Sequence, residues 1–279
     1  MFIFYLQKYC QKLIFLEANY NSVKALVINL ENSTDRMNFM RRQLNFLSID
    51  YHRLEAIDGS KLSNEFYSKH LNNWERPLRK SEVACFMSHK KAWEYVVNEN
   101  KPFLVLEDDI ILGSKTNEII NFLEEAPLYS FVNLETSYRR KFLSKRRFNI
   151  DNKFKLHELY HNKCGAAAYI IWPSVAKFLI SNFKKDGAAL ADSAIYNNFF
   201  KLKQYQVMPA LAIQAHDCDK FNIEKPFSHA SIISADKKPS KRHPLIISWK
   251  RLKTQILIVL VYIIYCKSGI RKKISFSKY

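Results

Sequence analysis

Apolar positions along this chain fall into short unbroken runs, separated by longer stretches with helical spacing. Residues 25–30 (ALVINL), 103–106 (FLVL), 130–135 (SFVNLE), 165–172 (GAAAYIIW) and 205–214 (YQVMPALAIQ) are such runs. Apolar residues without alternation suit strands buried on both faces. Between them, Met37, Met40, Leu44 and Leu47 share one helical stripe behind the capping residues Ser33, Thr34 and Asp35. Val83, Phe86, Met87, Trp93, Val96 and Val97 mark a longer amphipathic helix, preceded by Ser81 and stopped before Pro102. The pattern predicts further helices over 115–125, over 175–183 capped by Ser174, and from Asp192 onward. Residues 49–62 read as a strand ending in the turn at Asp58-Gly59. Strands alternating with helices predict an α/β domain with a mostly parallel central sheet, whose ligands bind at the strands' carboxyl ends.

The three consecutive acids of KPFLVLEDDIIL (101–112) stand at such an end. Glu107, Asp108 and Asp109 interrupt a segment that is otherwise apolar on both sides. Adjacent carboxylates that are partly desolvated repel one another unless a cation or hydrogen-bond donors compensate. A divalent metal, Mg²⁺ or Mn²⁺, does so while bridging to substrate phosphates. Pairing with Lys101 or Lys115, or capping the next turn, is the structural alternative. Strand alternation puts Glu107 and Asp109 on one side and Asp108 on the other. The acids alone do not name a reaction, since a metal-dependent phosphoesterase or nuclease uses the same groups.

Composition narrows the choice. The 279 residues are 48% hydrophobic with only 5 glycines, enough for a proper core and poor in low-complexity sequence. The five cysteines form no C-x-x-C pair, which argues for buried thiols in a cytosolic protein over zinc or disulfides. The net charge of +18 is uneven: from Lys237 onward there are twelve Lys/Arg and no Asp/Glu, leaving +6 for residues 1–236. A nucleic-acid-binding protein is therefore a weaker reading, and no nucleic-acid partner is expected. The same tail carries an uncharged run, 254–266, about 20 Å long as a helix against a bilayer core of about 30 Å. Too short to span, and flanked by lysines and arginines, it suits an anionic membrane surface. Packing on the domain is its alternative. A second basic stretch, YRRKFLSKRRF (138–148), reads as a solvated loop or one that folds over phosphate.

KSEVACFMSHKKAWEYVVNENKPFLVLEDDIIL (80–112) resembles the central signature of glycosyltransferase family 25, bacterial lipooligosaccharide galactosyltransferases and their relatives. ALVINLENSTDRM, AIDG, VNLETS, GAAAYIIWPSVAKFL and PALAIQ resemble its other blocks in order, over roughly residues 24–235. Ser81 stands where the family often has Gly, and LAD (190–192) where it often has Pro-Val-Asp. The resemblance implies a single GT-A-like catalytic domain over 24–235. An N-terminal extension (1–23) precedes it and a basic, membrane-associating tail (236–279) follows. It implies transfer of a hexose, most often galactose, from a UDP-sugar to a lipid-linked oligosaccharide, metal-assisted and inverting. The site expected from it has Asp108 and Asp109 on the metal, with Arg36, Asp58, Glu107 and Asp108 toward the nucleotide. Asp192, Glu135 and His89 are its catalytic candidates, and His216 and Asp217 are possible further ligands. Such an enzyme would work at the cytoplasmic face of the inner membrane.

Overall fold

The computed structural model describes residues 23–125, 130–183, 187–227 and 244–279. Residues 1–22 of the N-terminal extension and 228–243, which include the start of the tail at 236, lie outside the described residues. The chain begins with β1 (Lys24–Asn29), α1 (Thr34–Phe46), β2 (Tyr51–Glu55), α2 (Asn64–His70) and α3 (Lys80–Glu99). There follow β3 (Phe103–Glu107), β4 (Ile110–Leu112), α4 (Thr116–Glu124), β5 (Phe131–Asn133), and the hairpin β6 (Arg140–Asn149) and β7 (Lys155–His161). The rest is β8 (Ala168–Ile171), α5 (Pro173–Asn182), α6 (Ala191–Tyr196), β9 (Tyr205–Met208), β10 (Ala212–Gln214), α7 (Pro244–Ile264) and β11 (Gly269–Lys273).

Nine strands form one sheet in the order β11-β6-β7-β9-β5-β8-β3-β1-β2, and β10 pairs with β4 in a small second ladder. The sheet is mixed, which corrects the expectation of a mostly parallel one. Only β1–β2, β1–β3 and β5–β9 run parallel. β8 enters antiparallel between β3 and β5, with Ile170 opposite both Leu104 and Val132. A four-residue strand buried on both faces, AYII, carries no pattern that encodes its direction.

The all-apolar strands still alternate. Leu26, Ile28, Phe103, Val105, Phe131, Tyr169 and Ile171 pack into the cluster holding Phe86 and Trp93 of α3, Leu179 of α5 and Ile195 of α6. Ala25, Val27, Leu104, Leu106, Val132 and Ile170 face the other layer, with Met40 and Leu44 of α1 and Ile119 and Ile120 of α4. Each sheet face is thus covered by helices, so the strands' unbroken apolar runs follow from double burial. Two expected caps do not act as caps. The Ser33 side chain makes no capping hydrogen bond, and α5 begins at Pro173 behind Trp172, placing Ser174 inside the helix.

The basic stretch 138–148 is not a loop. It is largely strand β6, paired with β7 and with β11, and its residues 141–144 are buried. Lys141 is 1% exposed, its ammonium donating to the Glu135 carbonyl (2.8 Å) and Gln206 Oε1 (2.7 Å). The C-terminal segment is joined to the sheet: β11 is its outermost strand, and Ser277 N–H donates to the Ala210 carbonyl. α7 lies against the hairpin through Val261, Tyr262 and Tyr265, with the Tyr262 ring stacked on Phe142 and Tyr265 on Tyr160. Its opposite face leaves Trp249, Leu252, Ile256, Val259, Leu260, Ile263 and Ile264 exposed, between 41% and 69%. Among the described residues no helix is long and apolar enough to cross a membrane. Of the described cysteines only Cys218 is buried: Cys85 and Cys164 are half-buried, and Cys266 is exposed because it follows the last turn of α7, so the expectation of buried thiols holds only in part.

Candidate active site

The parallel strands β1 and β3 end side by side, with Ile28 opposite Glu107. There the chain turns at Asp108-Asp109 before β4. Helix α3 crosses beside these ends and presents Cys85, Ser88 and His89 toward them. The result is a cavity of about 1080 Å³, walled among others by Arg36, Asp58, His89, Glu107, Asp108, Asp109, Asp192 and His216. Of the catalytic and nucleotide-side residues expected from sequence, all but Glu135 meet in this wall.

The three acids have different surroundings. Asp108 is held on both oxygens: Arg36 Nη1 donates to Oδ1 at 3.0 Å and Asn29 Nδ2 to Oδ2 at 2.8 Å. Arg53 in turn holds Asn29 Oδ1 at 2.9 Å. Glu107 is also engaged twice, by His89 Nε2 at 3.3 Å and by Gln214 Nε2 at 3.2 Å. Asp109 differs: its Oδ1 is buried with no hydrogen-bond partner. Burial, then the charges of Glu107 and Asp108, push its carboxyl up to about 7. Burial also raises Asp108, although the Arg36 charge and hydrogen bond oppose it.

A buried, partnerless carboxylate oxygen beside two further acids is the environment a hard cation compensates, so the acids fit a divalent metal. Asp109 would hold it. It would be joined not by the expected Asp108, which is pinned by the Arg36 charge and by Asn29 at 2.8 Å, but by Glu107, whose two contacts are longer (3.3 and 3.2 Å) and whose lone pairs remain open to an ion. Cys85, His89 and Glu107 also bring one possible ligand atom each within 4.8 Å of one another. That trio is less suited: burial pushes the Cys85 thiol well up, and both His89 nitrogens are engaged.

His89 is fixed from behind. Its Nδ1 lies 3.0 Å from Tyr169 Oη, which accepts from Trp93 Nε1 at 2.9 Å. All three are buried, in a strand and helix whose apolar faces form the core.

Asp192 sits in the first turn of α6 but is not its cap, which is Leu190. Its Oδ1 accepts the backbone N–H groups of Gly165 (2.9 Å) and Ala166 (2.8 Å). Burial raises its carboxyl, and those N–H groups oppose the rise. Glu135 Oε2 takes the next N–H, that of Ala167, at 2.9 Å. Two carboxylates therefore clamp three successive amides of the loop before β8. Gly165 has φ +122°, and a Cβ there would lie 3.0 Å from Asn133 Nδ2, so glycine is required. Glu135 is 1% exposed and does not line the cavity; it acts through the loop.

Asp58 caps a short 3-10 turn by accepting from the Ser60 hydroxyl (2.7 Å) and N–H (2.8 Å), which hold its carboxyl below the usual range. His216 lines the cavity, whereas Asp217 is buried and paired with Lys220. Sequence reasoning missed Arg76, Arg79 and Lys80, which add positive charge to the wall. Arg76 grips Glu82 with both nitrogens, at 2.8 and 2.6 Å. The signal was the basic cluster in WERPLRKSE (74–82) directly before α3.

Acids at strand ends facing a cationic wall suit a phosphorylated ligand. The model of Glycosyltransferase family 25 (LPS biosynthesis protein) matches residues 22–194, and the chain belongs to that family. It is a glycosyltransferase.

The chain is 26% identical over 198 residues to the lipooligosaccharide biosynthesis protein lic2B of Haemophilus influenzae, covering 67% of this chain and 74% of that protein. It is 27% identical over 234 residues to the lacto-N-neotetraose biosynthesis glycosyltransferase LgtE of Neisseria meningitidis serogroup B, covering 78% and 82%. The Neisseria gonorrhoeae LgtE is 30% identical over 177 residues, covering 58% and 62%. Among solved structures, a glycosyltransferase involved in glycosylation of the major capsid of PBCV-1 aligns with TM-score 0.32 and 9% identity. That alignment covers 58% of this chain and 67% of the other.

Proposed function

We propose that the protein transfers a hexose, galactose first among the candidates, from a UDP-sugar to a lipooligosaccharide or lipopolysaccharide outer-core acceptor. The observation that carries this reading is the partnerless Asp109 carboxylate oxygen in a cavity that also holds Arg36, Arg76, Arg79 and Lys80. The acids and the neighbouring cations suit a metal-bound diphosphate, and the relatives' names, lipooligosaccharide and lacto-N-neotetraose biosynthesis, support the acceptor class, while galactose rests on the family resemblance. The GT-A-like expectation for 24–235 belongs to the same proposal.

In this mechanism Asp109, with Glu107, would hold Mn²⁺ or Mg²⁺. The ion, when bound, neutralises charge developing on the departing diphosphate. Asp108 fixes Arg36 in the wall, and Arg36 with the neighbouring cations stabilises the same charge. Asp58 lies on the nucleotide side. Asp192 faces the cavity with a carboxyl raised by burial, which suits a general base for the acceptor hydroxyl. That hydroxyl oxygen attacks the anomeric carbon as the bond to UDP breaks, a single displacement with inversion. Tyr169 and His89 keep Glu107 in place.

A lipid-anchored acceptor agrees with work at the cytoplasmic face of the inner membrane. The exposed apolar stripe of α7 supports this: Lys253 and Lys267 bracket its central part, and Arg271 and Lys272 are exposed on neighbouring β11. An anionic bilayer matches both its apolarity and its charge. The reading is tested by transfer from UDP-[¹⁴C]galactose to lipooligosaccharide of a gene-deleted strain. A metal-dependent radiolabelled product supports it, and phosphodiester hydrolysis without sugar transfer refutes it.

A further inference from the structure

A second cavity of about 380 Å³ lies beside the first, and Arg76 and Leu190 belong to both walls. Its remaining lining includes Trp74, Glu75, Asn162, Asn197 and Gln255, the last contributed by α7. Two buried polar atoms of this wall have no partner: Glu75 Oε1, an acceptor, and Asn162 Nδ2, a donor. Native proteins rarely leave such atoms unpaired, so each calls for a ligand or water group of the opposite kind.

We propose that this cavity binds a pyranose unit of the acceptor oligosaccharide, an inference that rests on the glycosyltransferase function above. A sugar hydroxyl both donates and accepts, so one ring satisfies the carboxylate oxygen and the amide together. The indole of Trp74 offers an apolar plate to the ring's C–H face, and the Asn197 and Gln255 amides suit further hydroxyls. The clustered acids that suit a metal-bound diphosphate line the first cavity, whereas the second has one acid, Glu75, with the cations Arg76, Lys163 and Arg251, so a sugar bound there also meets positive charge.

Its position agrees with the chemistry. The Asn162 side chain accepts from the Lys163 N–H at 3.0 Å, and a Cβ on Gly165 would meet its free nitrogen at 3.3 Å. Gly165 N–H is the group held by Asp192, so a sugar on Asn162 lies next to the proposed base. The other wall is α7, whose far face is the exposed apolar stripe. An acceptor rooted in a bilayer thus meets the cavity from the helix that faces it.

The test is steady-state kinetics with O-deacylated lipooligosaccharide from a gene-deleted strain as acceptor and the UDP-hexose that supports wild-type transfer as donor. Trp74→Ala removes the plate. Trp74 also packs on the core, so Gln255→Trp, which fills the cavity from an exposed position, is measured alongside. Both variants are expected to raise the acceptor KM at least about tenfold, with the donor KM and donor hydrolysis within about twofold of wild type. An unchanged acceptor KM in Gln255→Trp, or donor and acceptor KM rising together, overturns the proposal. Failure of the wild type to bind any UDP-hexose overturns instead the function on which it rests.

Discussion

Arg36 Nη1 stands 3.0 Å from Asp108 Oδ1, and this ion pair divides the labour among three adjacent acids. With Asn29 on its second oxygen, Asp108 is a structural carboxylate. Asp109, one residue on, keeps a buried oxygen free. Asp109→Asn should therefore cut metal-dependent transfer by about a hundredfold or more. It should also raise stability at pH 7 in the absence of metal, because it removes a carboxylate that burial and two neighbouring acids push up to about 7. Asp108→Asn should lower stability by about 1–3 kcal/mol, since Arg36 loses its charged partner. Urea unfolding and transfer assays on the two variants separate these outcomes; equal behaviour would contradict the division.

Tyr169 Oη bonds both Trp93 Nε1 and His89 Nδ1. Tyr169→Phe leaves the indole N–H unpaired in the core and frees His89 to change tautomer. A loss of about 1–3 kcal/mol is expected by urea unfolding. A fall in kcat larger than any rise in donor KM should accompany it, because Glu107 loses its fixed neighbour.

His161 gives a pH dependence. Burial, then the charges of Lys163 and Arg271, lower it from 6.5 to about 4. The unfolded chain thus takes up a proton between pH 6.5 and 4 that the folded chain refuses, so stability falls as pH drops through this window. The loss is at most about 3 kcal/mol. His161→Gln should flatten the fall, as read from urea midpoints at pH 7 and pH 4.5; an identical fall in the variant would contradict this.

Much of this was legible in sequence where burial is two-sided. The runs ALVINL and FLVLE, and the stripe from Val83 to Val97, became β1, β3 and α3 with few changes of boundary. Direction was not legible: AYII looks the same in either orientation. The hairpin was missed because β6 buries Lys141 inside a strand half of whose residues are charged, and only β7 and β11 together justify it. In the site, the acids announced themselves by interrupting an apolar run. The role of Asp192 did not, since its partners, Gly165 and Ala166, are more than two dozen residues away. Arg76 was missed although its partner Glu82 is only six residues on, because only the folded loop before α3 brings the pair to the cavity wall.

The exposed stripe of α7 makes a further prediction. Ile256→Glu with Ile263→Glu should abolish co-flotation with vesicles rich in phosphatidylglycerol, without lowering Tm, because both side chains face outward. Retained flotation would show that another surface binds the bilayer. Equal binding to neutral vesicles would remove the part assigned to Lys253, Lys267, Arg271 and Lys272.

Thermal unfolding of the wild type with UDP-galactose or UDP-glucose, with and without Mn²⁺, bears most directly on the proposed donor site. At a hundred times Kd, a ligand adds about 2.7 kcal/mol, or roughly 5–10 °C in Tm for a chain of this size. A UDP-hexose should raise Tm by that order with Mn²⁺ present, by less without it, and by less in Asp109→Asn. No rise with any UDP-sugar, with or without metal, would contradict a sugar-nucleotide site at Asp109 and Glu107.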